Sequence, residues 1–202
     1  MRFPRCLIQP LPWLLLAGCA SAPVHYYTLL PPAATSLPAV PAAALPFELL
    51  TVGVPAQADQ PQLVVRQGNQ GVAILDGERW AAPLADEVHG ALASDLARAL
   101  PARDVTGVAA PGRPVLRVKV DLRRFDAAPG DYAFIDAAWS LRVAKANRDD
   151  ELACTSRVRE PVGAGYPALV DGYQQALDTL AQRIAQAARS FEAGQGAVCP
   201  AD

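Results

Sequence analysis

Between residues 116 and 122 the chain alternates strictly, with Leu116, Val118, Val120 and Leu122 apolar and Arg117, Lys119, Asp121 and Arg123 charged. A period of two sends successive side chains to opposite faces, so this stretch predicts a strand with one buried and one wet face. The period returns twice. Ala137, Trp139, Leu141 and Val143 alternate with Ala138, Ser140, Arg142 and Ala144, and Leu152, Cys154, Ser156 and Val158 alternate with Ala153, Thr155, Arg157 and Arg159. Pro129-Gly130 separates the first two runs and residues 147–151 the last two, so three strands joined by short turns should form an antiparallel meander.

Two stretches follow the helical period instead. In 83–100, Leu84, Val88, Leu92 and Leu96 recur every fourth position beside Ala91 and Ala99. Pro83 suits a first helical position, Asp86 and Glu87 face the positive end, and Arg98 the negative end. A longer helix, about 168–193, carries Leu169, Tyr173, Leu177, Leu180, Ile184, Ala188 and Phe191 on one stripe and stops at Gly194. Upstream, 25–30 reads as a strand, 47–54 as a buried strand, and 61–66 with 72–75 as a hairpin turning at Gly68-Asn69-Gln70-Gly71. Asp76-Gly77 predicts another turn, and 104–108 a short strand. The Pro/Ala-rich stretch 31–46 lacks any period and predicts an extended loop. The expected fold is α/β of the α+β kind: a mixed, largely antiparallel sheet with two long amphipathic helices packed on it, in a single domain.

The amino end has a different pattern. Arg2 and Arg5 precede an apolar run around Trp13-Leu14-Leu15-Leu16, which ends in Leu16-Ala17-Gly18-Cys19. The run is shorter than the roughly 20 apolar residues a membrane span needs, and Pro10 and Pro12 interrupt it, so it reads as a signal peptide. Small residues before a cysteine form a lipobox: cleavage after Gly18 would leave Cys19 as an acylated first residue. The expected organisation is a leader over 1–18, a lipidated tether over 19–24, and one domain over 25–202. Ala20 follows the cysteine. An aspartate there would favour inner-membrane retention in bacterial sorting, so an outer-membrane anchor facing the periplasm is expected.

The leader carries two arginines and no acid, so its removal takes Lys+Arg from 18 to 16 against 20 Asp+Glu and the net charge to −4. Such a balance argues against nucleic-acid binding. In an oxidising compartment Cys154 and Cys199 form a possible disulfide; two unpaired thiols, with Cys154 a small core residue, are the competing expectation.

The chemistry of catalysis is missing from the sequence. It contains no Gly-x-Ser-x-Gly, P-loop, His-Glu-x-x-His or Cys-x-x-Cys, and its two histidines, His25 and His89, fall in different predicted elements. Gly163-Ala164-Gly165 lacks the third glycine and the strand-turn-helix setting of a dinucleotide site. Asp149, Asp150 and Glu151 are adjacent in a turn and cannot set a catalytic carboxylate separation. The expectation is a protein that is not an enzyme, with no cofactor and no metal site.

The order of segments resembles a known family. The lipobox, Tyr26-Tyr27-Thr28-Leu29, Pro61-Gln62-Leu63-Val64-Val65-Arg66, Arg79-Trp80-Ala81-Ala82-Pro83-Leu84 opening a helix, the Trp139 strand and a long terminal helix are similar to the ABC-type transport auxiliary lipoproteins, the PqiC/YmbA-like family. That resemblance implies an outer-membrane-anchored adaptor in an ABC/MCE intermembrane lipid-transport system, whose partner is an MCE-domain protein. The competing readings are an envelope lipoprotein that itself holds a lipid in an apolar groove, and an envelope hydrolase.

Arg66, Arg79 and Trp80 are either partner contacts or the residues that fix the hairpin onto the first helix. On the wet face of the meander, Arg117, Lys119, Arg123, Arg142, Arg157 and Arg159 share one phase with Asp121 as the only acid. The expected cationic stripe is either a solvated face or a docking surface for the partner, for anionic head groups, or for a neighbouring copy in a ring-like homo-oligomer.

Overall fold

Strict alternation with one polar phase commits the second half of the chain to a sheet that hides one side. In a computed structural model, which describes residues 22–32, 44–108, 112, 114–144, 151–192 and 198–201, that sheet is the centre of the molecule. The leader, Cys19, residues 33–43 of the Pro-rich stretch, Asp149, Asp150 and Gly194 lie outside the described residues. The elements are β1 (His25–Tyr27), β2 (Phe47–Leu49), β3 (Gln62–Gln67), β4 (Gly71–Trp80), α1 (Leu84–Ala99), β5 (Val115–Ala128), β6 (Tyr132–Ala144), β7 (Glu151–Pro161) and α2 (Tyr166–Glu192). The α+β class and the meander stand as expected, but the strands divide between two sheets, ordered β1-β4-β3 and β2-β5-β6-β7. Each is mixed: β1 runs parallel to β4 and β2 parallel to β5, while the sequential pairs are antiparallel.

The inward phase of the meander, including Leu116, Val118, Val120, Trp139, Leu141, Leu152, Cys154 and Val158, is buried. It shares one hydrophobic core with the stripes of both helices, Leu84, Val88, Leu92 and Leu96 on α1 and Leu169, Tyr173, Leu177, Leu180, Ile184 and Ala188 on α2. Ala176, Ala181, Ala185 and Ala187 are buried on α2 as well, leaving room for close approach of its neighbours. Truncating a core position such as Leu177 to Ala would cost about 2–5 kcal/mol through lost transfer energy and a residual cavity. Gly172 marks one such close approach on α2, because a Cβ there would collide with Val162.

Where the elements depart from the expected pattern, a hydrogen-bonding partner distant in sequence is responsible. The strand expected at 25–30 ends at Tyr27, since Thr28 and Leu29 leave the ladder to bond Glu87. The strand expected at 47–54 is regular only to Leu49, yet the chain stays on β5: Leu50 N–H donates to the Val118 carbonyl at 2.8 Å and Gly53 N–H to that of Val120 at 3.1 Å. A Cβ on Gly53 would run into the Asp121 carboxylate. The segment expected as a strand at 104–108 makes only an isolated bridge, Phe47 with Asp104. Asp76-Gly77 is no turn. β4 continues through it as an irregularity, Gln62 pairing with Arg79 and Leu63 with Leu75, because β1 pairs with its last residues, His25 with Glu78 through Tyr27 with Trp80.

Candidate functional site

The amino-terminal strand is tied down by three elements. The Tyr27 hydroxyl donates to Glu78 Oε2 at 2.7 Å, and His25 Nδ1 lies 3.1 Å from Glu78 Oε1. Burial, with Glu78 as the next cause, pushes the Tyr27 hydroxyl up to about 12. One residue further, the Thr28 hydroxyl and Leu29 N–H both donate to Glu87 Oε2, at 2.7 and 2.8 Å, and Gln174 Nε2 of α2 donates to the Thr28 carbonyl at 3.1 Å. Glu87 therefore does more than complement the helix dipole. Its carboxylate is buried and satisfies the backbone where the chain leaves β1.

Arg66 and Trp80 sit at the junction of the two sheets, and Arg79 within the three-stranded one. Arg66 Nε donates to Asp126 Oδ1 of β5 at 2.8 Å, Arg124 Nη2 to Asp126 Oδ2 at 2.6 Å, and the Tyr132 hydroxyl to Asp126 Oδ2 at 3.3 Å. Burial pushes the Asp126 carboxyl up, but the hydrogen bonds from Arg66 and Arg124 outweigh it and hold the group below the usual carboxylate range. Trp80 is buried edge-on against Phe125 at 6.1 Å and Tyr173 at 6.4 Å between ring centroids, and Phe125 stacks on Tyr173 at 3.8 Å. Arg79 Nε donates to the Asp76 carbonyl at 3.2 Å, bracing the irregular part of β4. The packing alternative, a buried Trp80 and an arginine spanning a carboxylate, is what these residues show, but the elements differ from the expected first helix: Arg66 holds the hairpin to β5, and Trp80 packs on β5 and α2. The extension of β4 carries Trp80 there.

The six cations expected on the outward face of the meander are all exposed there, but acids other than Asp121 are interleaved with them and pair with most of them. Arg117 Nε pairs with Glu48 at 3.0 Å, Lys119 with Asp121 at 3.8 Å, and Arg159 with Asp131 at 3.1 Å. Asp136 accepts from Arg123 at 2.6 Å and faces Arg157 Nε at 3.4 Å. Arg142 lies exposed on the same face. The acids were hidden from the alternation for two reasons. β6 begins at Tyr132, upstream of the run seen from Ala137, and Glu48 arrives from β2, which pairs in parallel with β5. A register irregularity between Leu122 and Arg124 also re-aims two adjacent arginines, and Arg123-Arg124 in an otherwise alternating strand was its visible signal.

Cys154 and Cys199 are joined by a disulfide with Cα atoms 5.6 Å apart, which pins the tail against β7. Cys199 and Pro200 rim an open cleft of ≈670 Å³ on the outward sheet face, floored by Ala138, Ser140, Ala153 and Thr155. A second open cleft, ≈540 Å³, lies along the helices and carries Asp95, Arg98, Glu160, Asp171 and Asp178. Neither assembles a nucleophile with a base, and no cluster of potential metal ligands occurs among the described residues. His89 Nε2 approaches the Leu49 carbonyl at 3.4 Å, a packing role.

A model of the family described as "ABC-type transport auxiliary lipoprotein component" matches residues 27–185, a span from β1 into α2 that includes both sheets and the Arg66/Trp80 junction. The chain belongs to this family. Its fold recurs in a solved structure of an uncharacterized protein, with 19% identity, a TM-score of 0.63, and coverage of 82% of this chain and 98% of that one. It also recurs in protein XCC0632 from Xanthomonas campestris, with 18% identity, a TM-score of 0.53, and coverage of 79% and 96%. No curated protein matches the chain by sequence. The family is one of transport auxiliary lipoproteins.

Proposed function

We propose that this auxiliary lipoprotein is the outer-membrane-anchored, periplasm-facing adaptor of an ABC/MCE-type intermembrane lipid-transport system. The observation that carries the proposal is the family match over 27–185, which takes in nearly all of the described fold. On this reading residues 1–18 are removed, Cys19 is acylated, 19–24 form the tether, and 25–202 are one domain. Ala20 after the cysteine supports the outer membrane over inner-membrane retention. The partner is an MCE-domain protein, and a ring-like homo-oligomer is one arrangement in which several copies would meet it.

The adaptor reading is favoured over a lipid carrier by the core. Between α2 and the four-stranded sheet, Leu177, Leu180 and Ile184 are fully buried and belong to the same cluster as Trp139 and Leu141. Both clefts described above are open to solvent, the first with a mixed lining that includes Lys119, Asp121 and Glu151 and the second lined mainly by charged and polar side chains, whereas a carrier needs an enclosed apolar pocket of several hundred Å³. Cross-linking in intact cells, followed by capture of the tagged mature protein from membranes, tests the proposal. An MCE-domain subunit should be the enriched cross-linked partner, and its absence alongside a different envelope protein would overturn the assignment.

A further inference from the structure

The direction of β1 says which side of the domain faces its anchor. β1 runs parallel to β4 with His25 beside Glu78, so the chain traced back from His25 heads toward the start of β4. Pro23 is already alongside: its carbonyl lies 3.5 Å from where a Cβ on Gly77 would stand. From Pro23 to Cys19 there are four residue steps, which span at most ~14 Å. From Gly77 back to Val72 is about 17 Å of strand. Whatever is attached at Cys19 is therefore held within ~14 Å of Pro23 beside Gly77, and at most about 31 Å from Val72.

That hairpin exposes apolar side chains where a soluble sheet would place polar ones. Val72 and Ile74, on the outward phase of β4, are 57% and 51% exposed. The three residues of β4 between Leu75 and Arg79 have no partner in β3 and invert the alternation. Arg79, and through its pairing Tyr26, thereby emerge on the side of Val72 and Ile74. Tyr26 is 65% exposed, and Val24 on the tether 44%. Four of the seven large hydrophobic residues exposed among the described residues thus lie on this face or its tether, beside the attachment point. Of the charges nearby, His25 is matched by Glu78, Arg66 and Arg124 share Asp126, and Arg79 donates to the Asp76 carbonyl.

We propose that this face, Tyr26, Val72 and Ile74, rests on the lipid bilayer that carries the anchor, with the two aliphatic side chains entering the headgroup boundary. The proposal rests on acylation at Cys19. A patch of so few side chains is too small to hold a protein partner alone, but a covalent anchor within reach raises its effective concentration at the membrane enough for weak apolar contacts to fix orientation. A tyrosine at the rim suits the interface, where its ring is half wet. The contact is apolar, so its dependence on salt should be slight.

The test uses the full chain expressed with its leader, purified from membranes, and reconstituted into neutral phosphatidylcholine vesicles with brominated acyl chains. The mass of its N-terminal peptide reports acylation of Cys19. An Ile74→Trp variant gains a tryptophan at the patch, and Val198→Trp gains one near the opposite terminus; the native Trp80 and Trp139 are buried and form a common background. Quenching at position 74 should exceed that at 198 by roughly two-fold or more, at low and high salt alike. Acylated protein with equal quenching at both positions overturns the proposal. So does equal quenching accompanied by self-association that Ile74→Asp abolishes, which assigns the face to a second copy. If Cys19 is unmodified, the anchoring reading fails separately. Coupling its thiol to a maleimide lipid then judges the face by the same comparison.

Discussion

Tyr173 stands at the centre of the aromatic junction, and its ring and its hydroxyl have different consequences. The ring stacks on Phe125 and meets the edge of Trp80. The hydroxyl is fully buried without a hydrogen-bond partner among the described residues, and burial, reinforced by Asp126 and Tyr132, pushes it well above the ordinary phenol value. An unpaired buried hydroxyl costs about 1–3 kcal/mol, so Tyr173→Phe should leave stability unchanged or raise it by up to that amount, whereas Tyr173→Ala should lower it by about 3–5 kcal/mol. Chemical denaturation of both variants checks the contrast. Asp95 offers a pH test. It is buried on α1 with Arg98 Nη2 at 2.5 Å, and burial pushes it up to about 6, with Arg98 opposing and Asp178 adding to the shift. The neutral form is thus favoured in the fold, so its contribution is fully present below the unfolded value of 3.8 and is lost as pH rises through 6. The span amounts to about 3 kcal/mol. Asp95→Asn should flatten the fall in stability that the wild-type chain shows between about pH 4 and pH 7, read from midpoints across that range.

At the level of elements, the disulfide links β7 to the tail beyond α2 and closes a sequence separation of 45 residues. Loop-closure entropy makes such a link worth about 4 kcal/mol, so Cys199→Ser should lower the denaturation midpoint, and a reducing agent should lower the wild-type midpoint by the same amount while leaving the variant unmoved. Two reactive thiols in the unfolded, unreduced chain would show instead that the link does not form. The cysteine pair was readable from composition because only two cysteines fall within the expected domain beyond the lipobox. β5, β6 and β7 were readable because each keeps one phase wet, so their period survives in the sequence. The three-residue strands β1 and β2 are too short to show a period, and their hydrogen bonds come from strands far along the chain. Asp76-Gly77 has the local chemistry of a turn, and only the pairing of β1 with 78–80 explains why the chain stays extended there. Arg66 could be picked out by position, but its partner Asp126 lies 60 residues away, and no local pattern connects them.

For the whole molecule, the charge pattern changes what the outward face can do. Because Arg117 pairs with Glu48 and Arg157 with Asp136, reversing Arg117, Arg142 and Arg157 to glutamate sets like charges beside the two acids. Exposed pairs contribute about 0.2–1 kcal/mol each, so the triple variant should lose on the order of 1–2 kcal/mol in thermal or chemical unfolding. If the face docks to an acidic partner, assembly at low salt should slow by much more than this loss explains, as followed by association kinetics across ionic strength. Wild-type kinetics would leave the face to solvent. The way β1 is held carries one more consequence, which concerns force. If, as proposed above, the chain is tied to a membrane by its amino end and gripped by a partner elsewhere, it is a link under tension, and the pull enters through His25–Tyr27. Because β1 lies alongside β4 and is drawn along its own axis, the ladder and the bonds to Glu78 and Glu87 are loaded together, in shear, and do not peel open one at a time. Two glutamates and a strand of three residues are then the clamp that sets how hard the domain can be pulled before it lets go of its leash.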